Sequence, residues 1–184
     1  MNTLLTDLYD IAKSIIIVLV ISFLIRSFLF QPFVVEGHSM DPNFFDKEYL
    51  LVNKLSYRIS QPKRGDVIVF KAPSNPQVDY IKRIIGLPGE TVKIANNTIY
   101  VNNKPVNEPY IPSDISTLVK NEPNMTLAVE LKNDQYFVLG DNRQHSSDSR
   151  EWGILPEENI IGKAWVSVYP WKDFGFVPKE QYSF

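Results

Sequence analysis

The chain has 184 residues, 44% of them hydrophobic, with 19 Lys and Arg against 21 Asp and Glu and a formal net charge of -2. That length holds one domain, or one domain and an anchor, around a sizeable core, and the balanced charge leaves no footprint for nucleic acid. With no cysteine in the chain, disulfides, thiolate metal sites and a cysteine nucleophile are excluded, so chemistry must come from oxygen, nitrogen or metal.

Residues 1–13 form a short amino-terminal segment carrying Asp7, Asp10 and Lys13. Residues 14–30, SIIIVLVISFLIRSFLF, are apolar except for serines and Arg26, whose long side chain can reach headgroups. They predict a transmembrane anchor at the short end of what spans a hydrocarbon core. A buried core helix is the alternative; a removable signal peptide fits less well, because acids precede the run and no small-x-small cleavage site follows. Lys13 on one side and the distant Lys47 and Lys54 on the other leave the orientation open.

From Phe33 onward the runs YLLVN, DVIVFK, VDYIKRII, TVKI, TIYV, QYFVLG and KAWVSVY, separated by turn residues, predict an all-β domain over 31–184. Asn96-Asn97 and Asn102-Asn103 suit tight hairpin turns, since Asn tolerates positive φ. Residues 107–124, with Pro109, Pro112 and Pro123 and little periodicity, predict a mobile surface insertion. Pro156 opens a single helical turn before a strand near Gly162.

A serine hydroxyl needs a base to become a nucleophile. Ser39, in EGHSMDPNF, has His38 as its neighbour, but adjacent extended residues point to opposite sides. His145, backed by Asp141 or Asp148, would make a triad of the Ser-His-Asp kind. Lys82 is the better base if burial strips its proton; in VDYIKRIIGLPGE it shares a strand face with Tyr80 and Ile84. The plain alternative is an edge lysine whose stem packs and whose head reaches water. The third segment, GDNRQHSSDSREWG over 140–153, is either a solvated loop of weak ion pairs or a wall of a site.

EGHSMDPNF, DYIKRIIGLPGE and GDNRQHSSDSR, in that order after one apolar segment, resemble the bacterial type I signal peptidases over nearly the whole chain. The resemblance implies a mostly β catalytic domain of twisted antiparallel sheets forming a partly open, barrel-like body behind one transmembrane helix. It implies a serine endopeptidase at the cell membrane, catalytic domain outside the cytoplasm, that removes signal peptides from exported preproteins after small residues at -1 and -3. It needs the lipid bilayer as a partner, but no metal, organic cofactor or nucleic acid. The family's Ser-Lys dyad falls on Ser39 and Lys82, and the serine that orients the lysine amine on Ser146. Asp141 with Arg83, and Asp148 with Arg150, resemble supporting ion pairs. The substrate pocket falls on Phe33, Val35, Met40, Phe44, Tyr80 and Ile81, with Asp79 beside them. Gly37 stands where some members carry an oxyanion-binding serine, which leaves more of that role to the Ser39 amide and to a nearby water or amide. Two other readings compete: a catalytically silent, membrane-anchored relative that binds preproteins or regulates, and a self-cleaving repressor, which would need a DNA-binding helical domain where this chain has an apolar run.

Overall fold

In the computed structural model, which describes residues 2–112, 115–119, 125–179 and 182, helix begins well upstream of the apolar run. Helix α1, Asn2–Leu24, widens into a π-helical turn, Ile25–Leu29, and the chain then straightens into strand β1, Phe30–Val34. The expected span 14–30 is thus divided among three conformations. Its α-helical part, from Ser14 to Leu24, is only about 16 Å long at 1.5 Å per residue, against a hydrocarbon core of about 30 Å. Among the described residues no helix is long and apolar enough to cross a membrane. The apolar side chains of α1 nonetheless stand open, among them Ile16, Leu19 and Phe23.

The remaining strands, in chain order, are β2 (Tyr49–Asn53), β3 (Val67–Ala72), β4 (Asn75–Gly86), β5 (Thr91–Ala95), β6 (Thr98–Val101), β7 (Lys104–Pro105), β8 (Leu127–Glu130), β9 (Gln135–Leu139), β10 (Leu155–Pro156), β11 (Ile160–Tyr169) and β12 (Gly175–Phe176). Single helical turns α2 (Ser56–Ile59) and α3 (Ser149–Trp152) and a 3-10 turn Glu157–Asn159 lie between them. The strands make two antiparallel sheets: one of eight strands in the order β1-β2-β11-β3-β4-β9-β10 with β12 on β11, and one of four in the order β7-β6-β5-β8. The partly open, barrel-like body expected is seen as two antiparallel sheets with no closed barrel, and β4 has a full-length partner on one edge only. It pairs with β3 from Asn75 to Arg83 but meets β9 only from Arg83 to Gly86. Among the described residues the outer edge of β4 over 77–82 is left open, and β1 pairs on one side only, with β2.

Asn96, Asn97, Asn102 and Asn103 all have positive φ, between 49° and 64°, and turn β5 into β6 and β6 into β7. Core residues fall into three clusters, one of which, with Val35, Met40, Phe44, Leu50, Val52 and Ile81, lies beneath the turn that follows β1. The insertion, expected to be mobile, is docked where it is described: Thr117 and Val119 are buried, and Val119 joins the core cluster under the four-stranded sheet. Residues 113, 114 and 120–124, Pro123 among them, lie outside the described residues.

Candidate active site

The turn after β1 presents Ser39 because the next residue, Met40, is pulled inward while His38 stays exposed. Met40 is wholly buried and its carbonyl accepts from the amides of Asn43 and Phe44, winding 38–44 tightly with the Ser39 hydroxyl on the outer side. Lys82 arrives from β4, where its backbone pairs with Ile68 of β3. Its amine Nζ donates to Ser39 Oγ at 2.8 Å and to the Ile81 carbonyl at 2.8 Å, and lies 5.2 Å from the centre of the Tyr80 ring. Lys82 is 3% exposed. Loss of hydration disfavours the ammonium and takes its pKa from the ordinary 10.5 down to about 8, the Asp148 and Asp141 carboxylates opposing the fall. Neither histidine holds Ser39: His38 pairs with Asp41 at 3.1 Å, and His145 is exposed at the rim, its backbone amide taken by Asn142.

Most of the 140–150 loop is buried, with Gln144 and His145 exposed at its tip. Asp141, Arg143, Ser146, Asp148, Ser149 and Arg150 are all buried. Arg83 grips Asp141 with two nitrogens, Nε to Oδ1 at 2.8 Å and an Nη to Oδ2 at 2.5 Å, and Arg150 holds Asp148 in the same manner at 2.8 and 2.7 Å. Such two-pronged pairs are stiff, and losing one partner leaves a buried charge uncompensated. Asp148 also accepts from the Gly140 amide at 3.1 Å, and the Asn142 amide donates to the Ser39 carbonyl at 3.1 Å. Gly140 is glycine for lack of room, since a Cβ there would collide with the Ser39 carbonyl oxygen and with Ser146.

The expected bond between Ser146 and the lysine amine is not formed. Among the described residues Ser146 Oγ is buried without a hydrogen-bond partner, while the amine has taken Ser39 Oγ and the Ile81 carbonyl. Gly37 has φ of 84°, a left-handed conformation that favours glycine, and its amide is committed to Asp46 Oδ1 at 2.7 Å.

A cleft of about 520 Å³ opens over the dyad, between the outer edges of β1 and β4. Of the residues expected to line it, Phe33, Asp79, Tyr80 and Ile81 do so, together with Val34, Glu36, His38, Gln77, Val78, His145 and Ser147. Val35, Met40 and Phe44 do not. They are at most 3% exposed, packed with Ile81 beneath the cleft floor, so they shape it from below and offer no surface to a ligand.

The model of the signal peptidase family, peptidase S26, matches residues 8–169. The chain belongs to that family. A signal peptidase I from Bacillus amyloliquefaciens is 40% identical over 169 residues, 90% of this chain and 87% of that one. Signal peptidase I T from Bacillus subtilis is 39% identical over 88% of this chain and 85% of its own, and signal peptidase IB from Staphylococcus aureus 36% over 92% and 94%. A solved signal peptidase I from Enterococcus faecalis aligns at a TM-score of 0.49 with 35% identity, over 56% of this chain and 97% of that one. As a member of the signal peptidase family the chain is a serine endopeptidase.

Several residues that hold this signal peptidase site together escape a reading of the sequence. Asn43 donates to Asp141 Oδ2 at 2.9 Å and Asn142 to the His38 carbonyl at 2.9 Å, tying the nucleophile turn to the loop. Arg143 is buried against Glu108 and Thr117 of the insertion. The GDNR run carried a signal for Asn142 and Arg143; for Glu108 and Thr117 there was none, because their partners are distant in sequence.

Proposed function

We propose that the chain is a membrane-attached peptidase that removes amino-terminal signal peptides from exported preproteins, with Ser39 as nucleophile and uncharged Lys82 as general base. The observation that carries this reading is the 2.8 Å contact between Ser39 Oγ and a lysine amine held out of water. Above pH 8 or so the amine is mostly uncharged, and the contact then runs the other way, Ser39 O–H donating to the lone pair of Nζ. As Ser39 Oγ attacks the scissile carbonyl its proton passes to Nζ. The resulting ammonium has three N–H groups, and the unpaired Ser146 Oγ is the acceptor left for the third. The proton then goes to the leaving amine, and Lys82, uncharged again, deprotonates the water that hydrolyses the ester on Ser39. Peptide and water balance these steps without a metal or cofactor. Because the Gly37 amide is taken by Asp46, the oxyanion falls to the Ser39 amide and one further donor.

The substrate enters as an extended segment between the open edges of β1 and β4, where backbone pairing holds it and Phe33, Tyr80 and Ile81 restrict the -1 and -3 side chains to small ones. Lipid is the partner suited to the open apolar flank of α1 and to the exposed Trp171, Phe174 and Phe176. The ladder row Phe30–Asn53–Lys163–Ile68–Lys82 puts the base about 19 Å along the curved sheet from the end of the helical segment, at ~4.8 Å per strand. This distance supports a site that works close to a membrane surface, with the catalytic domain taken to lie on the side where an exported preprotein emerges.

The test is cleavage of a preprotein with alanine at -1 and -3 by the full chain in detergent micelles, with the new amino terminus read by mass spectrometry. Phenylalanine at -1 is expected to cut the rate by roughly 100-fold or more. Binding without cleavage would establish the silent relative instead. The pH profile supplies a second expectation: kcat/KM rises with pH through an apparent pKa near 8, because only the uncharged amine accepts a proton. His145→Ala leaves that limb in place; a limb that vanishes in this variant would restore the triad.

A further inference from the structure

The insertion contributes polar side chains with no part in the steps above, Thr117 buried and Glu108 and Tyr110 partly buried. Glu108 and Arg143 form a two-pronged ion pair, Nη to Oε at 2.6 and 2.7 Å, with Arg143 3% exposed. Thr117 Oγ1 accepts a third bond from Arg143 at 2.5 Å. Tyr110 O–H donates to Glu108 Oε1 at 2.5 Å, and its ring covers the Arg83 guanidinium at 4.3 Å. Asn43, in the nucleophile turn, donates both to the Tyr110 carbonyl at 3.3 Å and to Asp141 at 2.9 Å. A further acceptor of Arg143 gives the group its direction: Arg143 Nε donates to the Gly140 carbonyl at 3.2 Å. Gly140 is the residue wedged against the Ser39 carbonyl and Ser146.

From this chain of contacts we infer that Glu108 is a positioning residue for the peptidase reaction: through Arg143 and Gly140 it fixes where the nucleophile turn sits relative to Lys82, and the insertion is a clamp on the site. The inference rests on the Ser39–Lys82 reading. A surface insertion meant only to fill space has no need of a carboxylate matched to an arginine that touches the loop behind the nucleophile. Buried ion pairs contribute little net stability but strongly fix geometry, and a displacement of about 1 Å at a reacting pair costs on the order of 100-fold in rate.

The test uses the full chain with the preprotein substrate. Glu108→Gln keeps the shape and removes the charge. It is expected to lower kcat by about 10- to 100-fold with KM within about twofold of wild type, and Glu108→Asp to recover part of the loss. It also moves the rising limb of the pH profile to lower pH, since Arg143 without its counter-charge adds positive potential near the amine. The other groups around Lys82 stay unchanged: Asp141, Asp148 and His145 from the loop, Asp79, Tyr80 and Arg83 from β4, and Glu36 and His38 before the nucleophile. Should Glu108→Gln fail to fold, Tyr110→Phe keeps the ring on Arg83, loses the bond to Glu108, and is read by the same measurements with a severalfold loss expected. Wild-type kcat, a change in KM alone, or a loss that matches the unfolded fraction with the pH limb unmoved overturns the clamp. Lys82→Ala, run in parallel, separates the two failures: if it cleaves, the dyad itself is wrong, and if it is dead while Glu108→Gln is normal, only the clamp is.

Discussion

Ser39→Ala and Lys82→Ala are each expected to lower kcat for preprotein cleavage by roughly 10⁴-fold or more, with little change in KM. A residue that forms or breaks bonds contributes nothing to ground-state binding, and nucleophile and base act as one unit, so the double variant should be scarcely worse than either single one. The lysine variant carries a second, independent signature. Between pH 8 and 10.5 the folded chain, with its depressed lysine, holds fewer protons than the unfolded chain, so stability rises with pH across that window and the full penalty stands below it. That penalty is about 3 kcal/mol. Lys82→Met, of similar length and without the charge, should therefore unfold later than wild type in denaturant at pH 7 while remaining inactive. A dead enzyme of increased stability is difficult to obtain unless the lysine is kept for its chemistry. Detectable turnover by Ser39→Ala, or a Lys82→Met protein less stable than wild type at pH 7, would contradict the assignment.

Gly140→Ala is the second large effect expected, and it acts without altering the side chain of either member of the dyad. The added methyl group would meet the Ser39 carbonyl, which is backbone, and Ser146 Cβ at 2.5 Å. Neither can swing aside, because Ser39 O is held by the Asn142 amide and Ser146 is buried. The nucleophile turn must shift, at a cost of roughly 1–3 kcal/mol in stability and on the order of 100-fold in kcat. Measured unfolding midpoints and single-turnover rates separate the two losses. Activity within a few-fold of wild type would show that the loop can retreat from Ser39, contrary to its buried ion pairs.

These two expectations differ in how early they were legible. Ser39 and Lys82 stand out in the sequence because their chemistry is local: a serine in a turn, a lysine among apolar strand residues, each in a run that resembles a known family. The ion-pair partners Arg83, Asp141, Asp148 and Arg150 were legible by the same resemblance. Gly140 was not, since only its distance to Ser39 and Ser146 shows why a side chain is excluded. Nor was Glu108, whose segment reads as a proline-rich surface loop until Arg143 is seen beside it. The pocket assignment failed at Val35, Met40 and Phe44 for a general reason: an apolar residue in a strand or turn satisfies a cleft wall and a core equally well, and which face it takes depends on what packs behind it.

What the amino-acid order determined alone was local: the strand runs, the asparagine turns with their positive φ, the apolar amino-terminal segment and the types of residue able to carry proton transfer. Local backbone preference and side-chain chemistry suffice for these. What only the tertiary structure decided was long-range: the short β9 pairing that leaves most of one β4 edge open, the burial that lowers the Lys82 pKa, and the docking of the insertion on the loop behind Ser39. Each depends on surfaces brought together from distant parts of the chain, and the free energy of removing a group from water is a property of those surfaces.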